Sequence, residues 1–596
     1  MRIVLVNWAK VWEGASQGGG VNQYVQALAL ELVKRGHDVV SLSSGTEHSP
    51  IAPGQPNPPP SVRRHHDWFG IKVFEVVNSP VLAPSLAQFE RPMDEVSCPS
   101  LEHEVGRLFD LLRPGVVHFN NLEGFSIGCV SRARAAGARV VFSLHNYATV
   151  CPQVYLLQGH RVLCRDFQNG HACATCVKVV PVEEERQKHR TRSFAGATPA
   201  QGTTARAAWN ELKDALRWMP RSLRAGVRLA KVMIAPERAP MPALPGQAVR
   251  TLEDATGQLT VPGETRVLHS PSGDVTLSVG DQRGRSPHLM AELDPPRARD
   301  CSLPQYQPLS NEITPEPESS RAPNEYGQRR AAMVEMLSSC DRVLAVSGFV
   351  RDKFVSMGVK PSAIRTLPIG SRINRVVALK PELAFAPPAF LRPPVPMGVE
   401  QRAVRLLFMG FNNYYKGLGF FADALEGLEP EVLRKLHISV FALEGQTIEW
   451  MFRRLEPRLA GLRYGYQYHY HDIPWFCGGR DMVVVPSLWW DNGPQTVFES
   501  LACGVPVLGA NIGGIPDAVK HGHNGLLFRA NDREDLRARL REITSEPWRI
   551  DDLRKNVRPP KSIEDHAVEM ERVYAGQDED LKVEVAAGNA AAAARA

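Results

Sequence analysis

The first 44 residues, MRIVLVNWAKVWEGASQGGGVNQYVQALALELVKRGHDVVSLSS, decide the fold. The apolar run Arg2–Trp8 predicts a buried strand, and the glycine loop Gly18–Gly20 follows it. Apolar residues at helical spacing then predict a helix that ends at Gly36, and Val39–Ser44 returns to strand composition. The order strand, glycine loop, helix, strand is typical of a parallel, doubly wound α/β sheet.

The same alternation recurs further along the chain. Two more helix-and-strand units bring predicted strands at 116–121 and 139–145. A second series begins in the C-terminal half, with predicted strands at 405–410, 437–443, 482–487 and 505–510. We therefore predict an α/β protein with two Rossmann-like, doubly wound parallel-sheet domains and an insertion between them.

The predicted organisation has five parts. They are an N-terminal Rossmann-like domain (1–180), a segment that completes its sheet (326–375), an insertion (181–325), a C-terminal Rossmann-like domain (376–575) and a disordered tail (576–596).

The insertion combines a basic stretch with a proline-rich one. Residues 206–231 have apolar side chains at near-helical spacing and many basic ones, interrupted by Pro220. This predicted helix either lies on an anionic membrane surface or packs on the first domain with a solvated basic face. Residues from about 235 to 325 are rich in proline and lack apolar periodicity, so we expect them to be mostly disordered and to contribute little to either core.

Composition excludes several classes of protein. The chain has 596 residues, and 70 Lys and Arg against 64 Asp and Glu leave a net charge of +6, which is small for a nucleic-acid-binding protein. No signal-peptide pattern and no stretch near 20 apolar residues occurs. We expect a cytoplasmic protein, with peripheral contact at the inner face of the membrane as an open alternative.

The segment WWDNGPQTVFESLACGVPVLGANIGGIPD (489–517) carries the strongest functional pattern. The Asn492-Gly493 turn before Pro494 predicts a helix start, where backbone N–H groups lack partners and the helix dipole favours an anion. The amides expected to bind a phosphate there are those of Gln495, Thr496 and Val497.

Two carboxylates flank this predicted phosphate site. Asp491 lies just outside the helix and Glu499 about a turn and a half inside it, so they could accept hydrogen bonds from hydroxyl groups on either side of the phosphate. A nucleotide-sugar presents hydroxyls, diphosphate and hydroxyls in that order. The alternative is that Asp491 caps the helix and Glu499 is solvated.

The segment resembles the C-terminal signature of family-four retaining glycosyltransferases of the GT-B fold. That signature is E-x7-E, A-x-G-x-P-V and a G-G-x-x-E/D turn, and here it reads Asp491…Glu499, 502–507 and 513–517. The resemblance implies that the N-terminal domain (1–180) holds the acceptor and that the C-terminal domain (376–575) holds the nucleotide-sugar. It implies that Asp491 lies at the transferred sugar and that Glu499 holds the ribose hydroxyls. It also implies that a final helix, around His566–Tyr574, crosses back to the first domain.

Lys416 is the predicted cation for the diphosphate. It follows Gly410 by six residues at the exit of a predicted strand, where open α/β sheets bind ligands. The family pattern G-R-x4-K-G implies the same role, but Phe411 stands where that pattern has arginine. The alternative is an exposed lysine near a turn.

Gly19, Gly20 and His145 are the candidates from the first domain. The glycine loop could let a phosphate or acceptor approach the backbone closely, and it matches neither G-x-G-x-x-G nor the P-loop pattern, which disfavours dinucleotide oxidoreductases and P-loop NTPases. His145 lies at the end of a predicted strand. The resemblance implies that the glycines line the cleft beneath the donor and that His145 faces the transferred sugar.

Four cysteines cluster after His145 with the spacing C-x12-C-x8-C-x2-C: Cys151, Cys164, Cys173 and Cys176. Such a set could hold a structural zinc ion, and the alternative is buried or redox-labile thiols.

Together these patterns predict a retaining hexosyltransferase. Its donor would be a nucleotide-diphosphate sugar and its acceptor a glycan or lipid-linked molecule, in polysaccharide or glycoconjugate synthesis, with no cofactor required and no nucleic-acid partner. Two alternatives stay open: a nucleotide-sugar epimerase or hydrolase, and a sugar-binding partner whose site has decayed, as Phe411 and Asp491 suggest.

Overall fold

The structure is a computed structural model that describes residues 1–52, 55–197, 267–269, 275–277, 308–314, 316–317, 319–379, 402–466 and 468–579. The basic stretch 206–231, most of the proline-rich segment and almost all of the tail lie outside these residues. The predictions made for them stay predictions.

The strands of the described residues are labelled here in chain order. They are β1 (Arg2–Val6), β2 (Asp38–Ser44), β3 (Ser61–Arg64), β4 (Lys72–Val77), β5 (Val116–Phe119), β6 (Arg139–Leu144), β7 (Leu157–Gln158), β8 (Val162–Leu163), β9 (Val267–His269), β10 (Val275–Leu277), β11 (Arg342–Ala345), β12 (Ile364–Thr366), β13 (Val404–Phe411), β14 (Leu436–Leu443), β15 (Gly461–Gly465), β16 (Met482–Val485), β17 (Val507–Ala510) and β18 (Gly525–Phe528).

The α-helices of the described residues surround two large sheets. They are Gly19–Lys34, Pro99–Leu112, Ile127–Ala135, Val182–Ala197, Glu325–Ser339, Gly348–Ser356, Ile373–Leu379, Leu418–Glu426, Pro430–Leu433, Glu449–Leu455, Ile473–Cys477, Gln495–Ala502, Ile515–Ala518, Arg533–Ser545, Trp548–Lys555 and Ile563–Tyr574. None of the helices in the described residues is long and apolar enough to cross a membrane.

The first sheet has the strand order β12-β11-β6-β5-β1-β2-β4-β3, and all of its strands are parallel except β3, which runs antiparallel to β4. β1 lies near the centre because Ile3–Val6 is wholly apolar and fully buried. The helix Gly19–Lys34 follows Gly18, whose φ of 76° is left-handed, and it buries Tyr24, Val25, Leu28 and Leu32 against the sheet. The predicted strand–loop–helix–strand unit is confirmed.

The second sheet has the order β15-β14-β13-β16-β17-β18, and every neighbouring pair is parallel. This is the Rossmann order 3-2-1-4-5-6. β13 is the first strand of the domain and pairs with β14 on one side and β16 on the other, so the direction of winding reverses between β13 and β16. Ligands of open α/β sheets bind at that reversal, outside the carboxyl ends of the strands.

Later parts of the chain return to the first sheet, as predicted. β11 pairs with β6 and extends the sheet. The final helix Ile563–Tyr574 packs on the same domain: the Tyr24 hydroxyl lies 2.8 Å from His566 Nε2, and the Tyr574 hydroxyl lies 2.8 Å from His118 Nδ1. Met570, on the same helix, is fully buried in the cluster that covers β1.

The described end of the proline-rich segment makes contacts that the sequence did not predict. The Leu309 N–H donates to the Ala530 carbonyl at 2.7 Å, and the Asn311 side chain exchanges two hydrogen bonds with the Gly513 backbone. Leu309 and Ile313 also pack against the main core. This end of the proline-rich segment therefore packs on the second domain. Its contacts come from single apolar and amide side chains, which produce no periodic pattern in the sequence.

Candidate active site

The reversal of winding in the second sheet brings Lys416 and Asp491 together. Lys416 follows β13 on a short 3-10 turn, Tyr414–Lys416, and Asp491 follows β16. The Lys416 Nζ atom lies 2.8 Å from Asp491 Oδ2. The lysine side chain is 29% exposed and the aspartate 5% exposed, so the cation faces the cleft while the anion lies beneath it.

Asp491 Oδ2 is saturated, whereas the second oxygen is not. Oδ2 also accepts hydrogen bonds from Ser487 Oγ at 3.1 Å and from Trp489 Nε1 at 3.2 Å. Within the part of the chain that the structure describes, no residue donates to Oδ1. The carboxylate can therefore hold Lys416 and still accept a hydrogen bond from a ligand hydroxyl.

Glycines let the loops around this pair pack backbone to backbone. Gly417 has a φ of 77°, and a Cβ there would overlap the Pro486 carbonyl oxygen. Gly513 has a φ of 57°, and a Cβ there would overlap the Asp491 backbone. The Gly514 N–H donates to the Asp491 carbonyl at 2.7 Å. The G-G turn of the sequence signature thus holds the Asp491 loop in place.

The helix Gln495–Ala502 begins directly after this loop, with Pro494 as its N-cap. One expectation is corrected: the Val497 N–H donates to the Pro494 carbonyl at 3.0 Å, and its side chain is fully buried. The amides of Gln495 and Thr496 donate to no group of the described residues. Two amides, not three, remain at this helix N-terminus for an anion.

Gly19 and Gly20 lie across the cleft from this helix start. The Gln495 Nε2 atom donates to the Gly20 carbonyl at 3.0 Å, and a Cβ on Gly20 would lie 3.1 Å from the same atom. Nothing lies within 4 Å of a Cβ placed on Gly19. The helices that begin at Gly19 and Gln495 therefore point their positive ends toward the same gap.

Glu499 is a buried carboxyl in the helix interior. It is 7% exposed, and no residue of the described chain pairs with its side chain. Burial raises its pKa to about 7. Burial raises the pKa values of the Tyr468 and Tyr470 hydroxyls, and the negative charge of Glu499 raises them further. Both tyrosines therefore lie near Glu499. A carboxyl so placed is suited to accept hydrogen bonds from ligand hydroxyls.

His145 and Asn492 join the two domains. Asn492 Nδ2 donates to the His145 carbonyl at 2.7 Å, and His145 Nε2 lies 3.3 Å from Asn120 Oδ1. The His145 ring lies 4.7 Å from the Tyr24 ring, and burial lowers its pKa to about 3, helped by the neighbouring His566. A neutral ring of this kind serves as a hydrogen-bonding partner better than as a base. A Cβ placed on Gly493 would lie 3.8 Å from Val346 Cγ2 of the first domain.

Arg372 is a cleft residue that no sequence pattern indicated. Its Nη1 donates to Gln26 Oε1 at 3.3 Å, and its guanidinium lies 5.1 Å from the Tyr470 ring centre. Its Nε is buried without a hydrogen-bond partner among the described residues. Arg372 lies about 40 positions before Phe411, the residue that stands where the G-R-x4-K-G pattern has arginine. Sequence spacing therefore did not identify Arg372 as a second cation of the cleft.

The four clustered cysteines line one small cavity, together with Arg330 and Phe89. Burial raises the pKa values of Cys164 and Cys173 to about 12, so neither is a ready nucleophile. Across the described ranges, no three His, Cys, Asp or Glu side chains already stand in a metal-holding arrangement.

Two family models match the chain. Residues 19–192 match the glycosyl transferase 4-like domain, and residues 455–559 match glycosyl transferases group 1. The first range contains Gly20 and His145, and the second contains Asp491 and Glu499.

Curated relatives match short parts of the chain. The D-inositol 3-phosphate glycosyltransferase of Rhodococcus jostii is 40% identical over 70 residues, which is 12% of this chain and 15% of the relative. The enzyme of that name from Geodermatophilus obscurus is 30% identical over 156 residues, 25% of this chain and 34% of the relative. The matches thus span about a third or less of these relatives.

Solved structures similar to the chain include two with full-length coverage. Sucrose-phosphate synthase of Thermosynechococcus elongatus has a TM-score of 0.47 and 12% identity, over 97% of this chain and 98% of that one. Anabaena HepE in complex with UDP and glucose has a TM-score of 0.46 and 11% identity, over 97% and 100%. The chain thus has two doubly wound α/β domains that meet at a cleft, the first similar to the glycosyl transferase 4-like domain and the second to glycosyl transferases group 1.

Proposed function

We propose that this protein transfers a hexosyl group, with retention of anomeric configuration, from a nucleotide-diphosphate sugar to a glycan or lipid-linked acceptor in polysaccharide or glycoconjugate synthesis. The observation that carries the proposal is the Lys416–Asp491 pair beside the free amides of Gln495 and Thr496, at the reversal of winding in the second sheet. A cation, a helix N-terminus and a buried acid are what a diphosphate joined to a sugar requires.

The diphosphate would lie between the two helix N-termini. The amides of Gln495 and Thr496 would donate to its oxygens, and the Lys416 ammonium would reach it from the opposite side while staying near Asp491. Both helix dipoles favour the negative charge that grows on the leaving group. Fixed donors aimed at developing charge are commonly the largest catalytic contribution.

The sugar and the ribose would occupy the two ends of this site. Asp491 Oδ1, which no described residue contacts, would accept a hydrogen bond from a sugar hydroxyl. Glu499 would accept hydrogen bonds from the ribose hydroxyls. Since burial raises its pKa to about 7, hydroxyl donors would stabilise the ionised carboxylate and promote proton release on binding.

The chemical step would be carried by the leaving group and the acceptor. The acceptor hydroxyl would attack the anomeric carbon from the side of the departing diphosphate, the carbon–oxygen bond to the phosphate would break, and the hydroxyl proton would pass to a phosphate oxygen. His145, neutral at assay pH, would hydrogen-bond to the sugar without taking that proton. We propose that turnover needs no added divalent cation, so its omission should leave the rate unchanged.

The proposal includes a cytoplasmic location with peripheral contact at the inner face of the membrane. The basic pattern at 206–231 supports it, because basic amphipathic segments bind anionic lipid surfaces. Flotation with anionic and with neutral vesicles tests the contact: binding to neither would remove it from the proposal.

A thermal-shift screen with nucleotide-diphosphate sugars tests the donor site. We expect at least one donor to raise the melting temperature of the native chain and of Lys435→Ala, an exposed lysine at the opposite edge of the same sheet, but not of Lys416→Ala. Product analysis by NMR then gives the anomeric configuration. No stabilisation by any donor, equal stabilisation of all three proteins, or an inverted product would overturn the proposal.

A further inference from the structure

The loop after β6 has little regular structure of its own. Between residues 146 and 176 its only paired strands are the two-residue β7 and β8. Five of its non-glycine residues have left-handed φ values: Val154, Leu156, His160, Gln168 and Asn169. A loop with few ladder hydrogen bonds and several strained residues needs another source of order.

This loop nevertheless supports the candidate active site. The Tyr155 ring lies 4.5 Å from the Tyr415 ring, directly beside Lys416, and 5.3 Å from the Trp489 ring. Trp489 in turn donates to Asp491. The position of the Lys416–Asp491 pair thus depends in part on how firmly the loop is held.

Four thiols of the loop converge inside it. Cys151, Cys164, Cys173 and Cys176 come from positions up to 25 residues apart, yet all line one cavity. The cavity has a volume of about 10 Å³, which is room for a single small ion or water molecule and too little for an organic ligand. Four sulfur ligands around a space of that size suit a tetrahedral metal.

The surrounding contacts fit a tetrathiolate site. Arg330 lines the same cavity, and its guanidinium is held by the Val150 carbonyl and by Glu316. A cation there would offset part of the double negative charge of a zinc ion with four thiolates. The thiols are not yet arranged as ligands: Cys151 donates to Gln153 Oε1 at 3.9 Å and Cys176 to the Leu157 carbonyl at 3.7 Å. These are weak bonds that a metal would replace.

We propose that Cys151, Cys164, Cys173 and Cys176 bind one Zn²⁺ ion that orders the loop and thereby holds Tyr155 against Tyr415 and Trp489. On binding, four S–H bonds break, four Zn–S bonds form and four protons pass to solvent, with no change of oxidation state. The ion has a structural role and takes no part in sugar transfer.

Metal content of the purified full chain tests this directly. We expect about one zinc and no iron per chain, both in the native protein and in Cys340→Ala, which removes a buried cysteine outside the cavity. In the double variant Cys173→Ser, Cys176→Ser we expect a several-fold loss of zinc. A mercurial thiol reagent added to the native protein should release the zinc to a colorimetric chelator, and this readout needs no variant to fold.

Three results would overturn the proposal: no stoichiometric zinc in the native protein, iron with acid-labile sulfide in its place, or a disulfide among these cysteines in mass spectra recorded without reductant. A cobalt(II)-substituted chain without thiolate charge-transfer absorption would do the same. We also expect zinc removal to weaken donor binding, and this expectation rests on the proposed function. The measured zinc content does not depend on that function, so either proposal can fail without the other.

Discussion

The Lys416 ammonium lies 2.8 Å from Asp491 Oδ2, although the two residues are 75 positions apart and follow different strands. The ion pair lies at the position that we propose for the donor diphosphate. Since Ser487 and Trp489 also donate to the same oxygen, Asp491 stays hydrogen-bonded when Lys416 turns toward a phosphate. Lys416 can therefore move from Asp491 to a bound phosphate while the buried Asp491 carboxylate keeps two other hydrogen-bond donors.

Asp491→Asn separates diphosphate binding from sugar transfer. The amide releases Lys416 from its ion pair, so we expect the nucleoside diphosphate to bind at least as tightly as to the native protein. Loss of the sugar contact should slow turnover by about 100-fold. Calorimetry with the nucleoside diphosphate and a steady-state assay give the two values, with Asp352→Asn, an exposed aspartate, as control. Tenfold weaker diphosphate binding would contradict the role given to the pair.

The stability of the protein should carry a pH signature from Glu499. Its pKa is about 7 in the folded chain and near 4.5 when unfolded, so the folded state holds more protons between these values and its stability falls as pH rises through them. Glu499→Gln removes this loss. We expect the difference in the free energy of unfolding, variant minus native, to be about 2 kcal/mol larger at pH 8 than at pH 5, so the variant gains relative stability as pH rises. Urea unfolding at both pH values measures it, and a difference independent of pH would contradict it.

Protonation of His145 should not affect the pH dependence of turnover. With a pKa of about 3 the ring is neutral throughout the range in which the protein is assayed. We expect His145→Asn, which keeps a hydrogen-bonding group, to lower turnover without changing the shape of the pH profile between pH 5.5 and 8.5. A limb near pH 6.5 that disappears in the variant would show that the ring titrates during the reaction.

Gly417→Ala tests the packing that places Lys416. The new Cβ would overlap the Pro486 carbonyl, and the left-handed φ adds strain, so we expect a loss of about 2–4 kcal/mol in stability together with loss of donor binding. Gly522→Ala is the matched control. Its φ of 74° is similar, but nothing lies within 4 Å of its Cβ, and about 1 kcal/mol is expected there. Equal losses from urea unfolding would remove the steric argument.

Met570→Ala tests the return of the final helix to the first domain. Met570 is fully buried against that domain, and its truncation leaves a cavity that should cost about 2–4 kcal/mol. Val568, on the same helix, is 43% exposed, so Val568→Ala should change stability by less than about 0.5 kcal/mol. Thermal unfolding compares them, and similar melting temperatures would argue that the helix does not pack as described.

Sequence composition predicted several strands that are mostly apolar. The predicted strand at 437–443 is Leu436–Leu443 in the structure, and that at 139–145 is Arg139–Leu144. It did not predict β4 (Lys72–Val77), whose apolar run is interrupted by Glu75, or β18 (Gly525–Phe528), which has only four residues. The helix expected to end at Gly36 ends at Lys34, a difference of two residues at a helix terminus.

The sequence was sufficient to predict which residues form the candidate site, but not which of them contact one another. Helix-start chemistry selected Gln495 and Thr496, but the bond from the Val497 N–H to the Pro494 carbonyl depends on how tightly the first turn winds. The direct contact of Lys416 with Asp491 requires the strand order β13-β16, which is a long-range property. Arg372 and Tyr470 reach the cleft only through the packing of both domains.

The return of the chain to its first domain has a consequence for biosynthesis. β11, β12 and the final helix are made long after β1, so the N-terminal half leaves the ribosome with an unfinished sheet and without the helix whose Ala567 and Met570 complete its apolar cluster. Exposed apolar surface of that kind invites aggregation or capture by chaperones. A nascent chain that stalls before residue 563 would therefore be a target for degradation, and the two domains mature together when the last helix docks.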